Sequence, residues 1–391
     1  ARNGKVVWMK AYGHHTYRGR RPVRMTDLYD LASVTKITAT LPALMRLRDQ
    51  GRFHEDSVLG AYLELPDSSG KADLVISDIL THQAGLQAWI PFYYATLEPL
   101  DTSQGLVSNR WSHTYPLRIG EGLYANRNVK YADSTYMKAY DPDFPVLVAE
   151  DLYLHRQMRD SVFHWIYDSE LQSREYRYSD LGFYMLQQVI ESITGDTLLY
   201  PYVWYQFYAP LGASSLGYLP LNRFSPEMIV PTENDVFFRR QLLRGYVHDP
   251  GAAMLGGISG HAGLFGNAND LAKMMQMYLN GGTYGGRRYI DPATIARYSS
   301  CINDERVNRR GLGFDRPITD TIDAGPACND ASPLSFGHSG FTGTIAWVDP
   351  AYDLVYVFLS NRIHPDQGNT KLIDMNVRTE IQQVIYDALE H

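Results

Sequence analysis

Cysteine is scarce: Cys301 and Cys328 are the only two in 391 residues. Two thiols make neither a zinc site nor a disulfide framework, and they could form one bond or none. No apolar run approaches the roughly 20 residues needed to span a bilayer, so no transmembrane segment is expected. Positive charge is not in excess either. Lys+Arg 36 against Asp+Glu 43 gives −7, whereas a nucleic-acid footprint would be basic, so no nucleic-acid partner is expected. The chain holds no G-x-x-x-x-G-K-[ST] loop, no H-E-x-x-H and no C-x-x-C, so no cofactor or metal is expected. It does not start with Met, and no signal peptide is visible. Ala1-Arg2-Asn3-Gly4 reads as a turn and segment 5–12 as a strand, the opening expected of a chain that has lost something upstream.

What is present is ordinary globular composition: 45% hydrophobic, 20% charged and 13% aromatic, with 29 tyrosines. Disorder and collagen-like repeats are excluded. The length allows one large domain or two interlocked ones.

Periodicity orders the rest. Ile37, Leu41, Leu44 and Leu47 share a helical face that Gly51 ends. Pro42 lies inside that pattern and should kink it, at up to ~3 kcal/mol unless the break is accommodated. Ser77 should cap a short helix through Leu80. From about 90 to 170 the chain is rich in Tyr and Trp with few clear periods, and reads as a long insertion. Leu181, Tyr184, Val189, Ile190 and Ile193 mark a helix ending at Gly195. Asn269 or Asp270 should cap another, with Leu271, Met274, Met275 and Tyr278. Thr344–Val348 and Leu354–Leu359 read as strands joined by a turn at Asp349–Asp353, and Ile381, Val384, Ile385 and Leu389 as a last helix. The order predicts an antiparallel sheet flanked by both chain ends, with the middle as a second lobe.

Three short patterns carry chemistry. S-x-x-K occurs twice, at Ser33-Val34-Thr35-Lys36 and at Ser68-Ser69-Gly70-Lys71, and chance alone gives roughly one or two such matches in a chain this long. Ser68 lies in a turn, where nothing holds its lysine. Ser33 begins a helix, so Lys36 shares its face and can reach the hydroxyl, and free N–H groups at the helix start can face an oxyanion. The plainer alternative is a capping serine with an exposed lysine. Tyr178-Ser179-Asp180 matches a Y-x-[ND] slot, although Asp180 alone would pass for a helix cap. His338-Ser339-Gly340 matches [KH]-[ST]-G, although alone it would pass for a turn. Gly337-His338-Ser339-Gly340-Phe341 is a near miss for the G-x-S-x-G elbow, with Phe341 at the last glycine, so Ser339 is not the expected nucleophile.

All three patterns together, in this order, are far rarer by chance. The sequence here resembles the serine β-lactamase and penicillin-binding protein superfamily, nearest the branch of class C β-lactamases, DD-peptidase-like proteins and related esterases. Leu80-Thr81-His82-Gln83-Ala84-Gly85-Leu86, Gly260–Phe265 and Gly340-Phe341-Thr342-Gly343-Thr344 match that branch as well. The ending Phe358-Leu359-Ser360-Asn361-Arg362 is similar to a subgroup found alone or fused behind a family 3 glycoside hydrolase.

The resemblance implies an α/β fold of the β-lactamase/transpeptidase type. Residues 1–50 and 240–391 would form the sheet domain, and 51–239 a mostly helical lobe with the insertion at about 90–170. It implies Ser33 as the acylated nucleophile and Lys36 and Tyr178 sharing proton transfer, with their division of labour open. Asp180, His338, Ser339 and Gly340 would contact substrate, and the backbone N–H groups of Ser33 and Phe341 would form the oxyanion hole. The activity implied is serine hydrolysis of peptidoglycan-derived peptide, small esters or another cell-wall fragment. An extracytoplasmic location follows by the same analogy.

Two departures stand out. His338 replaces a frequent Lys, so carboxylate recognition should weaken as pH rises through the pKa of the ring. Asp180 replaces the usual Asn and, ionised, only accepts hydrogen bonds. Both count against efficient β-lactam hydrolysis. Trp89, Tyr93, Tyr94, Trp111, Tyr115 and Tyr124 either pack a lobe or line a cleft rim that stacks on sugar rings. Met274, Met275 and Met277 read as core filler, and His82 and His261 as structural.

Overall fold

The computed structural model describes residues 1–195, 198–318 and 325–389. Its central sheet is antiparallel, built from β1 (Phe336–Ser339), β2 (Ile345–Asp349) and β3 (Leu354–Phe358). Alternation along β2 puts Ile345 and Trp347 in one buried cluster with Tyr386, and Ala346 and Val348 in the main core with Met274, Met275 and Met277. Side chains of period two thus bury both faces. One face carries the helix Ala268–Leu279, capped by the Asn267 side chain rather than Asn269 or Asp270. The other carries Val377–Asp387, where Gln382 and Tyr386 turn inward and Val384 outward. Gly337 sits opposite Trp347, where a Cβ would strike the Ala346 carbonyl and the indole.

Segment 5–12 does not form a strand. Ala1 exchanges backbone hydrogen bonds with Val355, Asn3 donates to Asp353, and the chain turns away at Asn3-Gly4. Beyond that turn Val6, Val7, Trp8 and Tyr12 stand exposed. Lys5 pairs only with Arg2 across that turn, and among the described residues, segment 6–12 pairs with no strand.

The second layer centres on α1 (Leu41–Asp49) and α2 (Leu181–Thr194), the latter ended by Gly195 in the left-handed conformation. A π-helical turn, Lys36–Thr40, leads into α1 and packs on α2. Pro42 falls in the first turn of α1, at its junction with the π-helical turn rather than inside one unbroken helix. The aromatic stretch folds as short antiparallel hairpins, such as Leu117–Gly120 with Leu123–Ala125, followed by the helix Arg156–Asp168. Strands of two to four residues are too short to print a period on the sequence.

Candidate active site

Ser33 ends a tight turn whose shape is held from several sides. Ala32 has φ +47°, and its N–H donates to Asp30 Oδ1 at 2.9 Å. The other Asp30 oxygen accepts the His248 N–H at 2.7 Å. Thr342 and Thr344, just past β1, donate to the Asp30 and Leu31 carbonyls at 2.8 and 3.0 Å. Gly340 allows this approach, because a Cβ there would lie 2.6 Å from the Leu31 carbonyl.

The turn sets Ser33 into a hydrogen-bonded cluster. Lys36 Nζ donates to Ser33 Oγ at 2.9 Å, to Asp180 Oδ1 at 2.6 Å and to the His261 carbonyl at 3.2 Å. The Tyr178 hydroxyl donates to Ser33 Oγ at 3.0 Å. Lys36 is fully buried. Burial alone would strip its proton, but the Asp180 carboxylate and the Tyr178 hydroxyl outweigh it and hold the amine above its ordinary value. A neutral Lys36 is therefore not the resting state. Burial raises the Tyr178 hydroxyl, against the pull of Lys36. Asp180 stands at the N-cap position of α2 but makes no side-chain cap; its carboxylate serves Lys36 instead.

His338 is buried beside Tyr178, with ring centroids 5.9 Å apart. Its Nδ1 lies 2.6 Å from the Ser339 carbonyl, which makes Nδ1 the protonated nitrogen and Nε2 a bare acceptor. Burial, then the charges of Arg310 and Lys36, push its pKa well below the usual histidine value. Carboxylate recognition is expected to weaken as pH rises through the pKa of this ring, and burial moves that pKa well below the usual value. Ser339, Gly340 and Phe341 line the same cavity as Ser33. Among the described residues, neither the Ser33 nor the Phe341 N–H donates a hydrogen bond, so both are free to face an oxyanion.

The cavity has a volume of about 1070 Å³. Trp89, Tyr93 and Tyr94 belong to its wall, whereas Trp111, Tyr115 and Tyr124 do not. The second S-x-x-K copy is structural: Ser68 is exposed, while Lys71 is buried and donates to the Tyr167 and Ser169 carbonyls at 2.7 and 2.5 Å. Both cysteines are free thiols.

His82 and His261, expected from the sequence to be structural, support the site together with Tyr184, Asp249 and Arg310, which the sequence did not mark as site residues. The His261 ring stacks on Tyr184, and its Nε2 lies 2.8 Å from Asp249, which fixes the carbonyl that Lys36 uses. Burial works against ionised Asp249, but His261 and the Ala252 N–H outweigh it and hold that carboxyl well below the usual range. His82 accepts the Ser179 N–H at 3.1 Å and lies 4.5 Å from Tyr178, ring to ring. Arg310, Arg362 and Arg378 also line the cavity. Only the family words around His82 and His261 signalled any of these.

A serine hydroxyl held between an amine and a phenol, at the mouth of a cavity with two free amides beside it, is the equipment of a serine hydrolase that works through an acyl-enzyme. Comparison with known proteins agrees. The Beta-lactamase family profile matches residues 1–375, and the chain belongs to that family. It is 30% identical over 392 residues to a protein of Escherichia coli (strain K12) named "Putative D-alanyl-D-alanine carboxypeptidase", covering 93% of this chain and 77% of that one. Among solved structures, the penicillin-binding protein homologue from Pyrococcus abyssi superposes with a TM-score of 0.59 at 15% identity, over 92% of this chain and 68% of that one. EstCE1, a hydrolase with promiscuous acyltransferase activity, gives 0.60 at 19% identity, over 92% and 87%. The fold is that of β-lactamases and penicillin-binding proteins, and the chain is a serine hydrolase of that family. No helix among the described residues is long and apolar enough to cross a membrane.

Proposed function

We propose that this hydrolase cleaves peptidoglycan-derived peptides ending in D-Ala, takes small esters as side substrates, and turns over β-lactams weakly at most. The observation that carries the reading is the Lys36–Ser33–Tyr178 cluster, with contacts of 2.9 and 3.0 Å, opening into so large a cavity. Tyr178 first releases its phenol proton to solvent; the phenolate then takes the Ser33 proton as Ser33 Oγ attacks the substrate carbonyl carbon. The C–N or C–O bond then breaks, the leaving group carries off that proton, and water hydrolyses the acyl-Ser33 ester. The Lys36–Asp180 ion pair supports Tyr178 as the base, because a lysine kept charged cannot accept a proton. The Ser33 and Phe341 N–H groups hold the oxyanion.

Two further features favour a substrate with a free carboxylate. Arg362 and Arg378 line the cavity and donate to backbone carbonyls, and among the described residues neither pairs with a carboxylate. The Arg362 guanidinium also lies 4.7 Å from the Phe341 ring centroid, beside a proposed oxyanion donor. The exposed Trp89 and the partly buried Tyr94 give the wall an amphipathic surface that suits a cell-wall fragment. Such substrates place the enzyme in the cell envelope, and a glycoside hydrolase in the same chain would release fragments of this kind. A plain carboxylesterase is the second reading, favoured by Asp180, which offers an amide substrate no donor.

Intact-mass spectrometry after incubation with a fluorophosphonate and, separately, a penicillin tests the chemistry. We expect one adduct on the wild type and none on Ser33→Ala, with ester turnover falling by roughly 10³-fold or more. A folded wild-type protein that gains no adduct from either reagent sinks the proposal, and muropeptide binding without turnover would then define its role.

A further inference from the structure

Tyr178 is surrounded by charged and titratable groups from five segments. Lys36 lies 5.2 Å from its ring centroid, and Asp180 follows two residues on. His82 and His338 flank the ring at 4.5 and 5.9 Å, and Ser33 accepts its hydroxyl. The remaining neighbour is Arg310, whose guanidinium carbon lies 5.3 Å from the Tyr178 ring centroid.

Their charges do not weigh equally. After burial, which raises the phenol, Lys36 exerts the strongest pull on Tyr178, and Asp180, paired with Lys36 at 2.6 Å, opposes that pull at close range. Burial, and after it the charge of Arg310, pushes both His82 and His338 well below the usual histidine pKa and keeps them neutral. Among the described residues Arg310 has one carboxylate partner and shares it: Asp315 accepts from Arg309 at 2.8 Å and from Arg310 at 3.0 Å. One carboxylate between two guanidiniums leaves a positive charge over.

The fold fixes Arg310 firmly. Its Nε donates to the Tyr176 hydroxyl at 2.9 Å, and its N–H to Asn308. Asp315 and Gly337 exchange backbone hydrogen bonds of 2.8 and 3.0 Å, which ties this segment to the edge of β1 next to His338. Arg310 Nη1 is buried and has no hydrogen-bond partner among the described residues. A buried, unspent N–H on a fixed cation is costly unless the charge serves something.

We propose that Arg310 is a positioning residue for the Ser33 reaction: its guanidinium stabilises the Tyr178 phenolate, which forms when the phenol loses its proton to solvent and which then takes the Ser33 proton. It stands in for the cation that a lysine at position 338 would supply. The inference rests on Tyr178 being the base.

The test is the pH dependence of Ser33 labelling by a fluorophosphonate, and of ester kcat/KM, in Arg310→Met, Arg310→Lys and Asp315→Asn. Labelling joins Ser33 Oγ to phosphorus, expels fluoride and passes the serine proton to the base, so its acid limb reports the base. Removing a positive charge near a phenol raises its pKa, so Arg310→Met should move the limb to higher pH by about one unit. At neutral pH the rate should drop about tenfold, and Arg310→Lys should restore most of it. Asp315→Asn unshields the arginine and should move the limb to lower pH, a direction that damaged packing does not produce. If Arg310→Met and Arg310→Lys lose rate alike at every pH, in step with a lowered Tm, the proposal is overturned. Should Arg310→Met fail to fold, a limb unmoved in Asp315→Asn overturns it as well. Tyr178→Phe separates the underlying reading: labelling as fast as wild type would remove Tyr178 as base, whatever the arginine variants do.

Discussion

Asp180 decides how the proton moves. An asparagine there would leave Lys36 buried without a counter-charge, and burial would then push its amine towards the neutral form. Asp180→Asn should therefore create a second base. In the wild type Tyr178→Phe should slow Ser33 labelling about a hundredfold; in the Asp180→Asn background the same change should cost less than about tenfold. Rates from the four proteins of this double-mutant cycle give the coupling directly, and additive effects would show that the two residues act separately. Stability should fall by about 1–3 kcal/mol, below the ~3–5 of a fully buried pair, because Lys36 can shed its proton and the Asp180 side chain is 19% exposed. At this scale much of the site was legible. Ser33, Lys36, Tyr178 and Asp180 lie in short words whose spacing carries the chemistry, and they meet within 3.0 Å. Arg310 was not legible, since it and Asp315 look like ordinary surface charge until the fold buries them.

The π-helical turn Lys36–Thr40 shows how an element absorbs a conflict in its own sequence. Leu41 N–H reaches back five residues to the Lys36 carbonyl, which leaves the Ile37 carbonyl without its helical donor. Pro42 has no N–H for the Thr38 carbonyl. Two distant tyrosines fill these gaps: Tyr278 donates to Ile37 at 2.6 Å and Tyr208 to Thr38 at 2.8 Å. Both rings are buried, so Tyr208→Phe and Tyr278→Phe should each cost about 1–3 kcal/mol by stranding a carbonyl. Urea melts of the single and double variants would measure this, and the double variant should also loosen Lys36 and lower kcat. A loss below 0.5 kcal/mol in both singles would mean that the turn finds other partners. Periodicity foretold the helix and its Pro42 break, but not the repair, because the repairing hydroxyls lie some 170 and 241 residues away in sequence. Segment 5–12 failed in the opposite way: its pattern is local, but a strand needs a partner, and periodicity says nothing about partners.

Across the whole molecule, the cavity is closed by parts that meet only in the fold. The hairpin Leu117–Gly120 with Leu123–Ala125 contributes Leu117, Arg118, Ile119 and Leu123 to the wall. It reaches the loop after β3, where the Gln367 side chain donates to the Ile119 carbonyl and Gly368 packs against Arg118. The Ser33 turn, the end of β1 and this hairpin therefore bound one space, although the hairpin lies far from the reacting atoms in the sequence and in role. The aromatic composition of the stretch announced a distinct piece of structure, but composition could not tell wall from packing. The outcome divides it: Trp89, Tyr93 and Tyr94 face the cavity, while the Trp111 ring lies 5.4 Å from that of His113 and outside it. A wall of this kind binds the remote part of a large substrate and contributes little to a small one. Replacing residues 106–126 by a short glycine linker should leave ester kcat/KM within about threefold. For a muropeptide the KM should rise tenfold or more, about 1.4 kcal/mol of lost binding. Equal losses on both substrates would assign the hairpin to holding the Ser33 cluster in shape, and no loss on either would place the substrate elsewhere in the cavity.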